Sequence, residues 1–143
     1  MQFNTETASW GPGLWFAIHL NAHIADTTPE MRKSFVNFMK IGIAEYLPCL
    51  KCRQHCKEYI EKHDPVDKLL TLGQGSSCLQ WSWKFHDAVN LREQKKYRPT
   101  SEELSAYLKM LREGGGCEDC SVKPSPSVET KRQTAVIRRQ MLE

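Results

Sequence analysis

In Tyr46-Leu47-Pro48-Cys49-Leu50-Lys51-Cys52-Arg53-Gln54-His55, two cysteines three residues apart follow directly on a proline. Helical patterns flank them, an apolar run from Phe35 to Tyr46 before and Cys52 to Ile60 after. Proline suits the first turn of a helix, where its missing N–H would be unpaired anyway. Cys49 is therefore expected at or next to a helix N-terminus, with Cys52 one turn further on. Free amides and the positive end of the helix dipole favour thiolate over thiol at that place. Lys51 and Arg53 add positive charge. A pair so placed can close into a disulfide and reopen, which is what thiol–disulfide exchange requires.

Working outward, the segment before the pair is a helix carrying Phe35, Phe38, Met39, Gly42 and Tyr46. It is opened by Thr28-Pro29-Glu30-Met31, a cap with proline at the first helical position. Before it, Leu14, Ile18 and Ala22 form one stripe, and Trp15, His19 and His23 another, each at i, i+4 spacing. The helix that holds the cysteines runs to about His63, where Asp64-Pro65 ends it. After a loop at Gly73-Gln74-Gly75-Ser76-Ser77, a fourth helix covers roughly Cys78 to Gln94, with Leu79, Trp83, His86 and Asn90 on one face. Pro99-Thr100-Ser101-Glu102-Glu103 starts a short fifth helix, and Gly114-Gly115-Gly116 stops it. No strand pattern stands out. The expected architecture is all-α, a four-helix bundle plus a short fifth helix. The domain is expected over 10–113, between a flexible N-terminus at 1–9 and a flexible tail at 114–143 that holds a second pair, Cys117-Glu118-Asp119-Cys120.

Composition narrows the function classes. The chain has 143 residues, enough for one modest core, with 40% hydrophobic and 26% charged residues. A net charge of +3, scattered except for Lys131-Arg132 and Arg138-Arg139, lacks the basic stripe of a nucleic-acid binder. No apolar run approaches the ~18 residues of a membrane span, and the N-terminus does not read as a signal peptide. Six cysteines without a secretion signal point to metal or redox chemistry.

Two Cys-x-x-Cys pairs have a zinc reading, a helical metal-binding interaction module. However, Cys52 and Cys117 are much further apart than the usual ~15–20 residues between halves of such a site. A thioredoxin-like site would need strands around the pair. A helical protein with a redox pair needs an electron acceptor, and a flavin is the usual one. Trp15, His19, Trp83, His86 and Asn90 offer flat rings and hydrogen-bond partners on two helices, but spacing alone favours reading them as core tryptophans and satisfied interior histidines.

A resemblance joins these pieces. Trp10-Gly11-Pro12-Gly13-Leu14-Trp15-Phe16-Ala17-Ile18-His19 resembles the opening signature of the Erv/ALR flavin-linked sulfhydryl oxidases. Tyr46 to His55 is similar to their redox-active segment. Trp83-Lys84-Phe85-His86-Asp87-Ala88-Val89-Asn90 with Lys95 resembles their flavin-binding segment. The three occur in the family's order over about residues 10–97. The resemblance implies a helical bundle holding FAD, usually as a homodimer. It assigns Cys52 to the position beside the flavin and Cys49 to the outer, exchanging position. Gly11, Trp15, His19, Trp83, His86, Asn90 and Lys95 would bind the cofactor. No metal is implied. Electrons would pass from protein dithiols or a thioredoxin-like carrier to the pair, then to FAD, then to oxygen, giving hydrogen peroxide.

Three positions depart from the family pattern: Asp87 where Asn is usual, Cys56 where an aromatic is common, and Trp83 where a structural cysteine often stands. Cys56 and Cys78 have three open fates: paired together, reduced, or bridging subunits. Cys117–Cys120 reads either as a shuttle disulfide relaying electrons to the inner pair or as a structural clip on the last helix. The compact chain resembles the minimal versions carried by large cytoplasmic DNA viruses. That implies the host cytoplasm or the virion, with the mitochondrial intermembrane space as the alternative.

Overall fold

A computed structural model of the chain describes residues 6–71, 76–113 and 136–137. Four rods dominate it. The first is α1, Thr7–Ala25. The second joins α2 (Pro29–Asn37), a wider π-helical stretch (Phe38–Ile43) and α3 (Ala44–Tyr46) without a break. The third joins α4 (Leu50–Glu58) to a second π-helical stretch (Tyr59–His63). The fourth is α6, Cys78–Arg92. A single turn, α5 (Lys68–Thr71), links the third and fourth, and α7 (Ser101–Arg112) packs on α6 and α1. There is no strand among the described residues. The architecture is the all-α, four-rod bundle with a short fifth helix that the periodicity predicts, plus the extra turn of α5.

Local chemistry explains most of the boundaries. Thr28 accepts a hydrogen bond from the Met31 amide at 3.1 Å, with Pro29 at the first helical position. Thr100 and Glu103 form a reciprocal capping box at the start of α7. Asp64 leaves the helical region (φ −142°, ψ 80°) before Pro65, which disfavours a helical backbone at the residue preceding it, and ends the third rod.

The start of α1 differs from expectation. Thr7, Ala8 and Ser9 are helical, and the helix runs straight through Pro12. Proline there removes one backbone donor. Trp10, Leu14 and Trp15 pack against the core from this helix, so burial outweighs that loss. The tail, whose stretch from Thr134 to Leu142 reads as weakly helical from its sequence, is described at two residues. Val136–Ile137 is helical, and Ile137 packs against the cluster around α7.

Two clusters hold the bundle. Ile18, Ala22, Phe35, Met39, Cys78, Trp81 and Phe85 belong to the main core between the rods. Leu79, Leu104, Tyr107 and Leu108 fasten α7 to α6. A polar clamp fixes where α6 begins. Asp26, just past α1, accepts from the Cys78 amide at 2.7 Å, the Leu79 amide at 3.1 Å and the Ser77 hydroxyl at 2.8 Å. A carboxylate on free amides at a helix N-terminus is favoured by both hydrogen bonding and the dipole. Arg32 then ties Asp26 (3.3 Å) to the Ser76 carbonyl (2.8 Å). Helices α1, α2 and α6 are thereby joined at one end of the bundle. The register of α6, which carries half of the site, is set there.

Candidate active site

Cys49 and Cys52 are joined as a disulfide, with Cα atoms 5.1 Å apart. Cys49 is the N-cap of α4, and its sulfur accepts a hydrogen bond from the Cys52 amide at 3.1 Å. Pro48 stands one residue before that cap rather than inside the first turn. The Cys49 sulfur thus sits where a helix N-terminus stabilises negative charge, so Cys49 is a favoured leaving thiolate when a mixed disulfide at this position is resolved.

The pair borders a cavity of about 420 Å³ between α1, α4, α6 and the end of the second rod. That volume lies in the range of small-molecule sites. Cys52 lines the cavity; Cys49 does not, and is partly exposed. Both cysteines are half-buried, and they differ in that Cys52 borders the cavity and Cys49 does not.

The wall opposite is aromatic. Trp15 stacks on His86 with ring centroids 4.0 Å apart and planes 6° from parallel. Phe85 meets Trp15 edge-on at 5.2 Å. Gly11 is buried, yet a Cβ built there would meet only the Thr7 Cγ2 at 3.5 Å, because the cavity lies beside it. Asn90, Arg92 and Lys95 supply polar and positive groups to the same wall. Lys95 arrives by a particular turn. The α6 helix ends in a Schellman motif, with the Lys95 amide donating to the Asn90 carbonyl (2.9 Å) and Gln94 at φ 56°.

Behind His86 runs a buried polar chain. His86 Nδ1 lies 2.8 Å from His19 Nε2, and His19 Nδ1 lies 2.9 Å from Ser82 Oγ. Ser82 donates to the Leu79 carbonyl at 2.8 Å. Burial, with smaller help from nearby Lys95, lowers the His86 pKa from 6.5 to about 4. His19 is lowered well below the usual value, by burial first and His86 second. Both rings are neutral at pH 7.

The residues expected at the site sort into three groups. Gly11, Trp15, His86, Asn90, Lys95 and Cys52 all line the cavity. His19 stands one layer back, bonded to His86. Trp83 is not in that wall: it packs with the α7 cluster and gives its indole N–H to the Pro99 carbonyl at 2.7 Å. Cys117 and Cys120 lie outside the described residues. Cys56 and Cys78 are buried free thiols, each pushed up to about 12, chiefly by burial. They are not paired with each other, and both are held as thiols. A zinc site built from both Cys-x-x-Cys pairs would need the thiolates of Cys49 and Cys52, which the disulfide consumes.

Cys56 also lines the cavity, as do His55, Phe85, Val89 and Arg92, which were given no site role from sequence. Phe85 and Val89 repeat the His86–Asn90 spacing one residue earlier, and Arg92 follows Val89 by three on the same face, so a wider helical face was the missed signal. Among the described residues no helix is long and apolar enough to cross a membrane.

Residues 12–102 match the Erv1/Alr family. The chain is 33% identical over 99 residues to FAD-linked sulfhydryl oxidases of African swine fever virus, from pig (Kenya), warthog (Namibia) and tick (Malawi) isolates. These alignments span 68% of this chain and 79% of the viral proteins. No solved structure matches the chain at a significant level. The disulfide at a helix start beside a ring-lined cavity, together with a match over most of its length, makes this chain a member of the Erv1/Alr family.

Proposed function

We propose that this chain is an FAD-linked thiol oxidase that forms disulfides in protein substrates. One observation carries the reading: Cys52, one half of a disulfide at a helix N-cap, lines a cavity that also has flat rings in its wall. The residues present fit the cofactor. Trp15, Phe85 and His86 offer ring faces, Gly11 offers a wall without a side chain, and Arg92 and Lys95 offer charge for a pyrophosphate.

The protein's own chemistry follows from the two sulfurs. A substrate thiolate attacks Cys49 Sγ, the bond to Cys52 breaks, and Cys52 leaves as a thiolate in the cavity wall. The second substrate thiolate then attacks the substrate sulfur of the mixed disulfide. The substrate disulfide forms, and Cys49 leaves as a thiolate held by the Cys52 amide and the α4 dipole. Two electrons have moved onto the cysteine pair. FAD, held by the ring faces and the Arg92 and Lys95 charges of the cavity, would supply the two-electron acceptor through which the disulfide is restored and oxygen reduced to hydrogen peroxide.

From the resemblance to minimal viral members we take virion proteins in the host cytoplasm as substrates, and a homodimer as the working form. Cys117–Cys120 is proposed as a shuttle between substrate and the inner pair. If both are replaced by Ala and turnover on a protein dithiol is unchanged, the shuttle role is removed. The main test is stoichiometric. With a dithiol substrate, one oxygen consumed should yield one hydrogen peroxide, and Cys52→Ala should abolish the uptake. Undiminished uptake by that variant would remove the proposed role of the pair.

A further inference from the structure

The chain of hydrogen bonds behind the cavity has a direction, and Ser82 sets it. Ser82 is fully buried and has one hydroxyl proton, which goes to the Leu79 carbonyl at 2.8 Å. Its oxygen can then only accept from His19 Nδ1 at 2.9 Å, so that nitrogen carries the proton. A neutral imidazole carries one proton, so His19 Nε2 is a lone pair. It accepts from His86 Nδ1 at 2.8 Å. His86 Nε2 is left as a lone pair in its turn. His86 is only 8% exposed and lines the cavity, and no hydrogen bond found among the described residues engages that nitrogen.

The opposite direction is poorer by one bond. Ser82 would give its proton to His19 Nδ1, His19 Nε2 to His86 Nδ1, and His86 Nε2–H would project into the cavity. The extra bond to the Leu79 carbonyl would be lost, and a buried donor would be left unpaired. The low basicity of both rings excludes the doubly protonated form at neutral pH.

We propose that Ser82 is a positioning residue: through His19 it fixes His86 with Nε2 as a bare acceptor facing the cavity, so that His86 receives an N–H or O–H group of the bound molecule. The choice of that molecule rests on the FAD reading above. The consequence for specificity is a division of labour. A lone-pair nitrogen repels a phosphate oxygen, so the His86 end of the cavity takes neutral donor-bearing parts of the ligand, a ring imide, amino or hydroxyl group. Anionic oxygens are left to Arg92 and Lys95. The position of Ser82, one helical turn before His86 on α6 and facing His19 on α1, serves this relay. The same arrangement forces both histidines into the Nδ1–H tautomer, opposite to the Nε2–H form that free histidine favours in water.

The test reads the tautomers directly. The full chain, carrying its flavin and labelled with 15N-imidazole histidine, is examined by NMR at pH 7. His19 and His86 should each show a protonated Nδ1 and a pyridine-like Nε2. A protonated Nε2 on His86 overturns the proposal. Ser82→Ala should shift His86 toward the Nε2–H form and weaken FAD about tenfold, the worth of one ordinary hydrogen bond. Ser82→Thr should restore both. An unchanged His86 tautomer in Ser82→Ala also overturns it, and should that variant not fold, the wild-type spectrum still decides. Protein that shows the expected tautomers but holds no flavin would leave the relay standing and sink the FAD reading instead.

Discussion

Acid should unfold this protein through His86, and the structure gives the size of the effect. The His86 ring is buried against Trp15, with Lys95 nearby, and its pKa falls from 6.5 to about 4. In the unfolded chain the ring binds a proton near pH 6.5; in the folded chain it does not until about pH 4. The folded pKa is the lower one, so protons favour the unfolded state. The stability is fully present above pH 6.5 and is lost as pH falls toward 4. The fall from 6.5 to about 4 corresponds to about 3 kcal/mol over that window. That is a large part of the ~5–15 kcal/mol that stabilises an ordinary domain. His19 is lowered too and acts in the same direction. Urea unfolding followed by circular dichroism at pH 7 and at pH 4.5 measures the difference. His86→Phe keeps a flat ring and removes the titration, so its stability should depend much less on pH than that of the wild type. Equal acid losses in the two proteins would refute the assignment, because the loss would then belong to other groups.

Three further outcomes follow from single positions. Gly11→Ala puts a methyl group in a helix where only Thr7 Cγ2 is near, so the ligand-free protein should gain about 0.5–1 kcal/mol in thermal unfolding. FAD binding should weaken at the same time, since that methyl enters the cavity wall; a tighter complex would contradict the site. Asp26→Ala removes the acceptor for two amides and the Ser77 hydroxyl at the start of α6. It should cost about 2 kcal/mol by denaturant unfolding, and no loss would mean that the clamp is idle. Gln94 holds a left-handed backbone at φ 56°. Gln94→Gly should therefore stabilise by up to about 1 kcal/mol, and a destabilised variant would show that the Gln side chain matters more than the strain.

Much of the bundle was readable because its signals are local. The Thr28-Pro29 cap and the Thr100–Glu103 box are short-range hydrogen bonds written in adjacent residues. The position of Cys49 at a helix start also came from its neighbours. What escaped depends on tertiary context. Helix α1 crosses Pro12 because Trp10 and Leu14 gain more by packing than the helix loses in one bond. The π-helical turns after Asn37 and Glu58 carry no residue signature of their own. Trp83 shares a helical face with His86, but the Pro99 carbonyl and the apolar face of α7 claim it. Ser82 passed unnoticed as a small polar residue in mid-helix. Its role appears only once His19, 63 residues away, is brought against it.

The central claim is that electrons entering at the disulfide reach a flavin in the cavity beside Cys52. Anaerobic titration of the purified chain with a dithiol, followed through the flavin absorption band, measures this. The wild type should be yellow and should bleach as the dithiol is added, while Cys52→Ala should stay yellow and unbleached. A colourless wild-type protein, or a Cys52→Ala variant that bleaches as fast as the wild type, would contradict it.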